Sequence, residues 1–420
     1  MDQPQAKRQR VHTGTMEHCQ YFVKRKKRYC RMTVKKGNKF CGEHMEVSGE
    51  ITVHEKKKRI ACPIDSSHTC YESRLEQHLK VCNAKKMIDA KPAYIIDGIN
   101  RGDVLENPKH VSLNLLEESV VESVIRRVEA AYVDLPEVEE LILQHEVLDS
   151  EVNSPVYGNN TRKHLIQNSS LLGHINRAGL AREDTCFIEF GAGKGKLTYW
   201  LAQMLKTTNN STVVLVDRSS HRNKNDNKLK NDETNVNTIR IRADIADLAL
   251  SRIPEISSIK HKVGIAKHLC GAATDLTIRC LSRLIVEDIN TQVSGLVIAF
   301  CCHHRCDYAS YVGKDYLRTC GFTADEFPIL CSIASWATCG TGKNRDALTD
   351  PTVNAYNYSH EEKLKKRESL GKKAKALLNW GRIEHLKTLG FHSNLYYYTT
   401  PQVSLENVCV IATRKSVRAP

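Results

Sequence analysis

The chain has 420 residues, 41% of them hydrophobic, a formal net charge of +14 and 16 cysteines. That length suits two or three domains, at least one large enough to bury a real core, and the composition excludes a wholly disordered or fibrous chain. No stretch approaches the roughly 20 apolar residues a membrane span needs. The start, MDQPQAKRQRV, lacks an apolar h-region. The sequence therefore predicts an intracellular protein of the nucleus, the cytoplasm or both, with no membrane role, whose clustered cysteines point to metal sites or buried thiols before disulfides.

Charge and cysteine divide the chain into three zones. Residues 1–90 carry 20 basic and 10 acidic residues and six cysteines, residues 91–150 carry 5 basic and 13 acidic residues and none, and the remainder holds the other ten cysteines. The first zone is too small and polar to fold by apolar burial alone. Its basic clusters, among them Arg25, Lys26, Lys27, Lys57 and Lys58, are interleaved with metal-ligand residues, which favours a nucleic-acid surface over a merely solvated one. Cys19, Cys30, Cys41 and His44, spaced C-x10-C-x10-C-x2-H, make a tetrahedral zinc set over residues 14–48, with Phe22, Tyr29 and Phe40 as its small core. Cys62, His68, His78 and Cys82, spaced C-x5-H-x9-H-x3-C, make a second over residues 58–86, with Cys70 as a surplus candidate. LEQHLKVCNAKK reads as a short helix that places His78 and Cys82 on one face.

Residues 91–156 read as an acidic, largely helical spacer packed on a neighbouring domain. From about residue 111, Leu115, Leu116, Val120, Val121, Val124, Ile125, Val128 and Tyr132 recur at helix-like intervals, and a second short helix is expected from about 137 to 148. From 157 to 415, TCFIEF, STVVLVD, NTIRIRAD, HKVGIAKH and QVSGLVIAF are strand-like runs spaced as in a βαβ series. LGFHSNLYYYTT and LENVCVIAT close the chain as an antiparallel pair at the sheet edge, and the polar run from Arg218 to Asn237 is expected to include a surface insertion. The fold class is thus α/β, a Rossmann-like methyltransferase or dinucleotide domain behind two zinc modules and a spacer.

FIEFGAGKGKLTYWLAQML carries the cofactor signal: a strand enters Gly191, Gly193 and Gly195 and leaves as a helix. Glu189 is placed to meet a ligand amino group, Asp217 to bind ribose hydroxyls, and Asp244 to accept from an adenine amino group, which fits S-adenosylmethionine better than NAD. Leu197, where a P-loop has Ser or Thr, excludes that motif. AKHLCGAATD and AFCCHHRCDYASYVGKDYL follow later strands and offer Lys267, His268, Cys270, Asp275, Cys301, Cys302, His303, His304 and Cys306. They read as a polar catalytic or substrate wall, because adjacent ligands are awkward for a third zinc.

These segments, with RKHLIQNSSLLGHI at Arg162–Ile175 and YYTTPQVSLENVCVIAT near the end, closely resemble the eukaryotic tRNA 2′-O-methyltransferases that modify nucleotide 4 of the acceptor stem. The two front modules are similar to that family's CCCH and CHHC fingers, and the second also to the finger of a spliceosomal RNA-binding protein. The resemblance implies a Rossmann-like rather than knotted catalytic domain, S-adenosylmethionine as methyl donor, two structural zinc ions, and the acceptor stem of a subset of tRNAs, including those for glycine, proline and histidine, as substrate. No obligate protein partner is implied. Ribose methylation needs an aligned hydroxyl, a proton acceptor and a cation. His303 or His304 is expected as the base, Lys267 as the cation, and Asp275 as the group that orients a hydrogen-bond partner. The competing readings are an RNA base methyltransferase and a non-catalytic zinc-containing RNA-binding protein.

Overall fold

A computed structural model describes residues 18–23, 28–42, 44–45, 58–66, 68–85, 91–103, 107–109, 112–221, 225–229, 234–287, 292–338 and 358–414. The chain divides into two compact units, residues 1–92 and 93–420. The first is built of two antiparallel ribbons, β1 (Phe22–Val23) with β2 (Arg28–Tyr29) and β3 (Arg59–Ala61) with β4 (Thr69–Tyr71), followed by helix α1 (Leu75–Val81). Phe22 and Tyr29 meet edge to face but are 45% and 64% exposed, so they are a surface pair rather than the expected core. Tyr21 takes the packing role, its ring stacked 4.0 Å from that of His44.

In the second unit, the segment expected as a spacer is part of the fold. Helix α2 (Glu118–Val133) forms where the periodicity placed it and ends ahead of Pro136, but only Val124 and Val128, one helical turn apart, are fully buried; Leu115, Val120 and Tyr132 face solvent. The helix expected over 137–148 is instead β5 (Glu139–Glu140), an extended run and a 3-10 turn at Glu146–Leu148. Hydrogen bonds at a sheet edge override helix propensity there: Glu139 pairs with Tyr396, and the Leu141 amide donates to the Tyr397 carbonyl at 3.1 Å. Earlier in the segment, Ile95 bridges Leu248, and Asn100 Nδ2 donates to the Ile245 and Leu248 carbonyls.

The main sheet follows from helix α3 (Asn159–Arg177) onward: β6 (Thr185–Phe190), α4 (Lys196–Met204), β7 (Ser211–Val216), β8 (Asn237–Ile241), β9 (His261–Leu269), α5 (Ala272–Glu287), β10 (Gln292–Phe300), α6 (Lys314–Thr319), α7 (Phe327–Ala334), α8 (Tyr358–Thr388), β11 (His392–Tyr397) and β12 (Val408–Thr413). Its order is β5-β11-β12-β10-β9-β6-β7-β8; strands β6 to β10 run parallel, and β12 lies antiparallel to both β10 and β11. The expected terminal pair is present, with β5 added outside it. Every residue of β6 and β7 is buried, as a parallel strand covered on both faces requires. Cys186, Ile188 and Phe190 enter one core with Ile278 and Leu281 of α5, while Phe187 enters the other with Leu171 and Leu172 of α3 and Leu197 of α4. A third cluster joins α2, α7 and α8. In the polar run before β8, Leu229 and Val236 are buried in the core, so the insertion is anchored at both. The lysines along α8 are largely paired: Lys365 with Glu361, Lys372 with Glu368 and Lys375 with Glu406. Among the described residues no helix is long and apolar enough to cross a membrane.

Arg382 of α8 and Asp275 of α5 form a bidentate ion pair inside this unit, Nε to Oδ1 at 3.0 Å and Nη2 to Oδ2 at 2.8 Å, with side chains 1% and 0% exposed. Burial alone would lower the guanidinium's pKa; the carboxylate more than offsets that and holds it above its ordinary value. Removing one partner strands a buried charge. Asp275→Ala is therefore expected to cost about 3–5 kcal/mol in urea unfolding, while Asp275→Ala with Arg382→Met costs less than Asp275→Ala alone. Tryptophan fluorescence reads this directly, because Trp200, Trp336 and Trp380 all lie in the second unit.

Candidate functional site

In the first unit the predicted zinc ligands converge as two separate sets, Cys19, Cys30, Cys41 and His44, and Cys62, His68, His78 and Cys82, with the donor atoms of each within 4.8 Å of one another. A zinc tetrahedron with bonds of about 2.3 Å to sulfur and about 2.05 Å to nitrogen has edges of about 3.8 Å between sulfurs, about 3.6 Å between sulfur and nitrogen, and about 3.3 Å between nitrogens. In the second set Cys62 Sγ and Cys82 Sγ lie 3.9 Å apart, the two histidine Nε2 atoms 3.2 Å apart, and the sulfur–nitrogen pairs 3.3 and 3.6 Å apart. In the first set His44 Nδ1 lies 3.4 Å from Cys19 Sγ and 3.3 Å from Cys41 Sγ. These donors fit zinc. Cys70 is buried in β4 outside the ligand set. Of the basic residues singled out beside these modules, Lys58 pairs with Glu72 at 3.1 Å; Arg25, Lys26, Lys27 and Lys57 lie outside the described residues.

In the second unit the glycine loop sits at the carboxyl end of β6. Gly191, Gly193 and Gly195 have φ of 67°, 53° and 71°, a left-handed path that only glycine follows without strain. Phe190 pairs with Val216, so Asp217 leaves β7 beside the loop; its Oδ2 accepts from the Gly193 amide at 2.8 Å and its Oδ1 from the Ser219 amide at 2.7 Å. Glu189 is buried and accepts from both the amide and the hydroxyl of Thr198, which the sequence alone does not single out. Burial lifts its carboxyl to about 7, against those bonds and the nearby Lys267. Asp244 caps the 3-10 turn Ile245–Asp247 by accepting from the Ala246 amide at 3.0 Å. Bare glycine backbone flanked by two carboxylates suits a ligand that presents hydroxyls and an ammonium.

Lys267 and His268 end β9 against α3. Lys267 Nζ donates to Asn168 Oδ1 at 2.6 Å, and His268, held at a φ of 58°, bonds Gln167 Oε1 at 2.7 Å. Gln167 and Asn168 form no pattern that marks them as functional; the one signal is a polar QNSS run set between the apolar pairs Leu165-Ile166 and Leu171-Leu172, and Gln167, Asn168, Ser169 and Ser170 are all buried. Burial pushes the Lys267 ammonium down to about 8 and the His268 imidazole down to about 4. The two adjacent histidines after β10 part company. His303 is buried, with Nδ1 2.8 Å from the Cys301 carbonyl and Nε2 2.7 Å from Asn379 Oδ1, so neither ring nitrogen faces a substrate. His304 is half-buried, and burial, then Arg305 and Lys375, depress its pKa and leave it neutral at pH 7. Asp275 lies in the buried pair with Arg382 and accepts from the Val312 amide, away from solvent. Asn379 and Arg382, missed in the sequence, sit one turn apart on α8, linked by a 3.0 Å bond from Arg382 Nη1 to Asn379 Oδ1.

Two outcomes test these sites. Zinc chelation is expected to abolish hydrogen-exchange protection of the Cys19, Cys30 and Cys62 amides, which bond within the finger backbones, while β6 stays protected. Glu189 is also expected to give the second unit a pH-dependent stability. A carboxyl whose folded value lies above its unfolded one of 4.5 stabilises at low pH, and that stability fades as pH rises through about 7. Glu189→Gln should therefore gain on the parent between pH 5 and 8, by up to about 3 kcal/mol in urea unfolding. A difference that stays constant with pH would show that the carboxyl is ionised throughout.

Comparison with known proteins agrees with this geometry. Residues 166–413 match the family model "Methyltransferase TRM13", residues 17–45 the "CCCH zinc finger in TRM13 protein", and residues 59–83 the "U11-48K-like CHHC zinc finger". The chain is 36% identical to the mouse protein named "tRNA:m(4)X modification enzyme TRM13 homolog" over 94% of each chain. It is 34% identical to the human homolog, covering 96% of this chain and 95% of that one, and 31% identical to "tRNA:m(4)X modification enzyme TRM13" of Saccharomyces cerevisiae, covering 94% and 96%. With its methyltransferase core and both fingers matched, the chain belongs to the TRM13 methyltransferase family.

Proposed function

We propose that this chain is an S-adenosylmethionine-dependent tRNA ribose 2′-O-methyltransferase acting at nucleotide 4 of the acceptor stem, on a subset of tRNAs that includes those for glycine, proline and histidine. The observation that carries the reading is the pairing of the glycine loop and its carboxylates with Lys267 on the next strand, in a chain whose relatives are named for tRNA:m(4)X modification. That name specifies a position and no base. The 2′-hydroxyl is the nucleophile every nucleotide shares, and A-form RNA displays it in a shallow minor groove.

Glu189, the three glycines and Asp217 would hold the methyl donor, and bound S-adenosylmethionine supplies an electrophilic methyl on a good leaving group. The chain's own residues align and deprotonate the acceptor. Lys267, held by Asn168 and still largely protonated at pH 7, steadies negative charge on the ribose oxygen. His304, neutral and half-buried, takes the hydroxyl proton. His303 fixes the wall behind it. The finger module, with its excess of basic residues, contributes phosphate contacts.

Incubation of the protein with labelled methyl donor and total tRNA, followed by nucleoside analysis, tests the reading. A 2′-O-methyl nucleoside mapped to position 4 is expected; a methylated base, or RNA binding without product, overturns it. His304→Ala is expected to lower the single-turnover rate about 100-fold with cofactor affinity retained. His303→Ala is expected to lose folding stability instead.

A further inference from the structure

The sulfurs of Cys270, Cys301 and Cys302 lie within 4.8 Å of one another, and no residue of the methyl-transfer scheme or of the zinc fingers accounts for them. Cys270 Sγ is 3.7 Å from Cys302 Sγ, which is 3.4 Å from Cys301 Sγ. The sheet register builds this cluster. Leu269 of β9 pairs with Phe300 of β10, so Cys270 and Cys301 are the next residues off two adjacent parallel strands. Neighbouring residues in a strand point to opposite faces, which is why Cys301 and Cys302 look awkward as joint ligands in the sequence. Here the strand ends at Phe300 and a 3-10 turn begins at His303, and the irregular backbone between them lets both sulfurs converge.

The surroundings hold the three in place. His268 and Gly271 on either side of Cys270 both have φ of 58°. A Cβ on Gly271 would fall 2.3 Å from the Arg305 carbonyl oxygen, so the loop after β9 is pressed against the turn after β10 as closely as backbone allows. The bond from the buried His303 to the Cys301 carbonyl fixes the other side. All three cysteines are half-buried and free, and thus reachable by an ion from solvent. The 3.7 Å sulfur separation matches the edge of about 3.8 Å expected around a tetrahedral thiophilic ion, and the 3.4 Å one lies about 0.4 Å inside it.

We propose that Cys270, Cys301 and Cys302 form a third metal site, taking a thiophilic divalent cation of the zinc class through three thiolates. Among the described residues no fourth His, Cys, Asp or Glu donor joins the three, so the remaining position belongs to a water or another small ligand. In this the site differs from the fingers, each of which closes with four side chains. The proposal is independent of the nature of the methyl acceptor.

Metal analysis of the full-length protein, saturated with zinc under a thiol reductant and desalted, tests it. Three equivalents of zinc per chain are expected, falling to two in the Cys270→Ser, Cys301→Ser, Cys302→Ser variant with the fingers intact. After cobalt replacement, sulfur-to-cobalt charge-transfer absorbance should fall by about three-eighths in that variant, from the share of thiolates it loses. If the triple variant fails to fold, the parent's count still decides, and Cys302→Ser alone should weaken only the third equivalent. Two equivalents in the parent overturn the proposal, whether the three thiols stay free or mass spectrometry finds Cys270 joined to Cys302 as a disulfide.

Discussion

The methyltransferase unit depends on one buried charge pair. Arg382 is among the most completely buried side chains in the protein, and a guanidinium there is tolerable only because Asp275 meets it with both oxygens. The pair ties α8, which arrives late in the chain, to α5, which follows the strand carrying Lys267. Arg382 also reaches Cys306 Sγ at 3.1 Å and Asn379, and Asn379 reaches His303. A continuous polar chain therefore runs from the centre of the unit to the backbone of Cys301 at the edge of the sheet. A hydrophobic replacement could fill the same volume, but it would leave the turn after β10 without an anchor. Position, more than stability, is what this pair gives the site.

The fold was legible because parallel strands covered on both faces must be short, apolar and β-branched, and TCFIEF and STVVLVD have no other plausible use. The glycine loop and its carboxylate partner were equally legible, since a left-handed turn after a strand demands glycine and Asp217 lies one strand over. The misread elements share a cause. Residues 137–148 have the composition of a helix, yet their backbone groups pair with β11, and no local pattern records a partner some 250 residues away. Phe22 and Tyr29 look like core residues, but a module held by four converging zinc-ligand side chains needs little apolar core, which leaves aromatics free to face outward.

The polar wall at the ends of β9 and β10 shows the same limit at the level of single side chains. His303 and His304 are indistinguishable in sequence, and what separates them is Asn379, far along the chain on another element. Gln167 and Asn168 go unnoticed because polar residues in a helix read as its solvated side; α3 instead turns that side toward the end of β9. Asp275 reads in the sequence as an orienting group beside the reaction; its buried pairing with Arg382 is set by tertiary packing alone.

The electrostatics of the cofactor edge follow from the same burial. Glu189 and Lys267 stand on adjacent parallel strands, and each pulls the other toward its charged form while burial pushes both toward neutrality. The carboxyl at about 7 and the ammonium at about 8 are therefore both poised near physiological pH. A pair so balanced responds to whatever is placed beside it. A cationic ligand at the glycine loop would favour ionised Glu189 and, through it, steady Lys267 in the protonated form. In the proposed reaction, loading the donor site would thus favour charged Lys267 to the extent that this relay through Glu189 exceeds the ligand's own repulsion of the ammonium. Thr198 sets the limit of this coupling, because its two hydrogen bonds hold one Glu189 oxygen fixed and leave the response electrostatic rather than conformational.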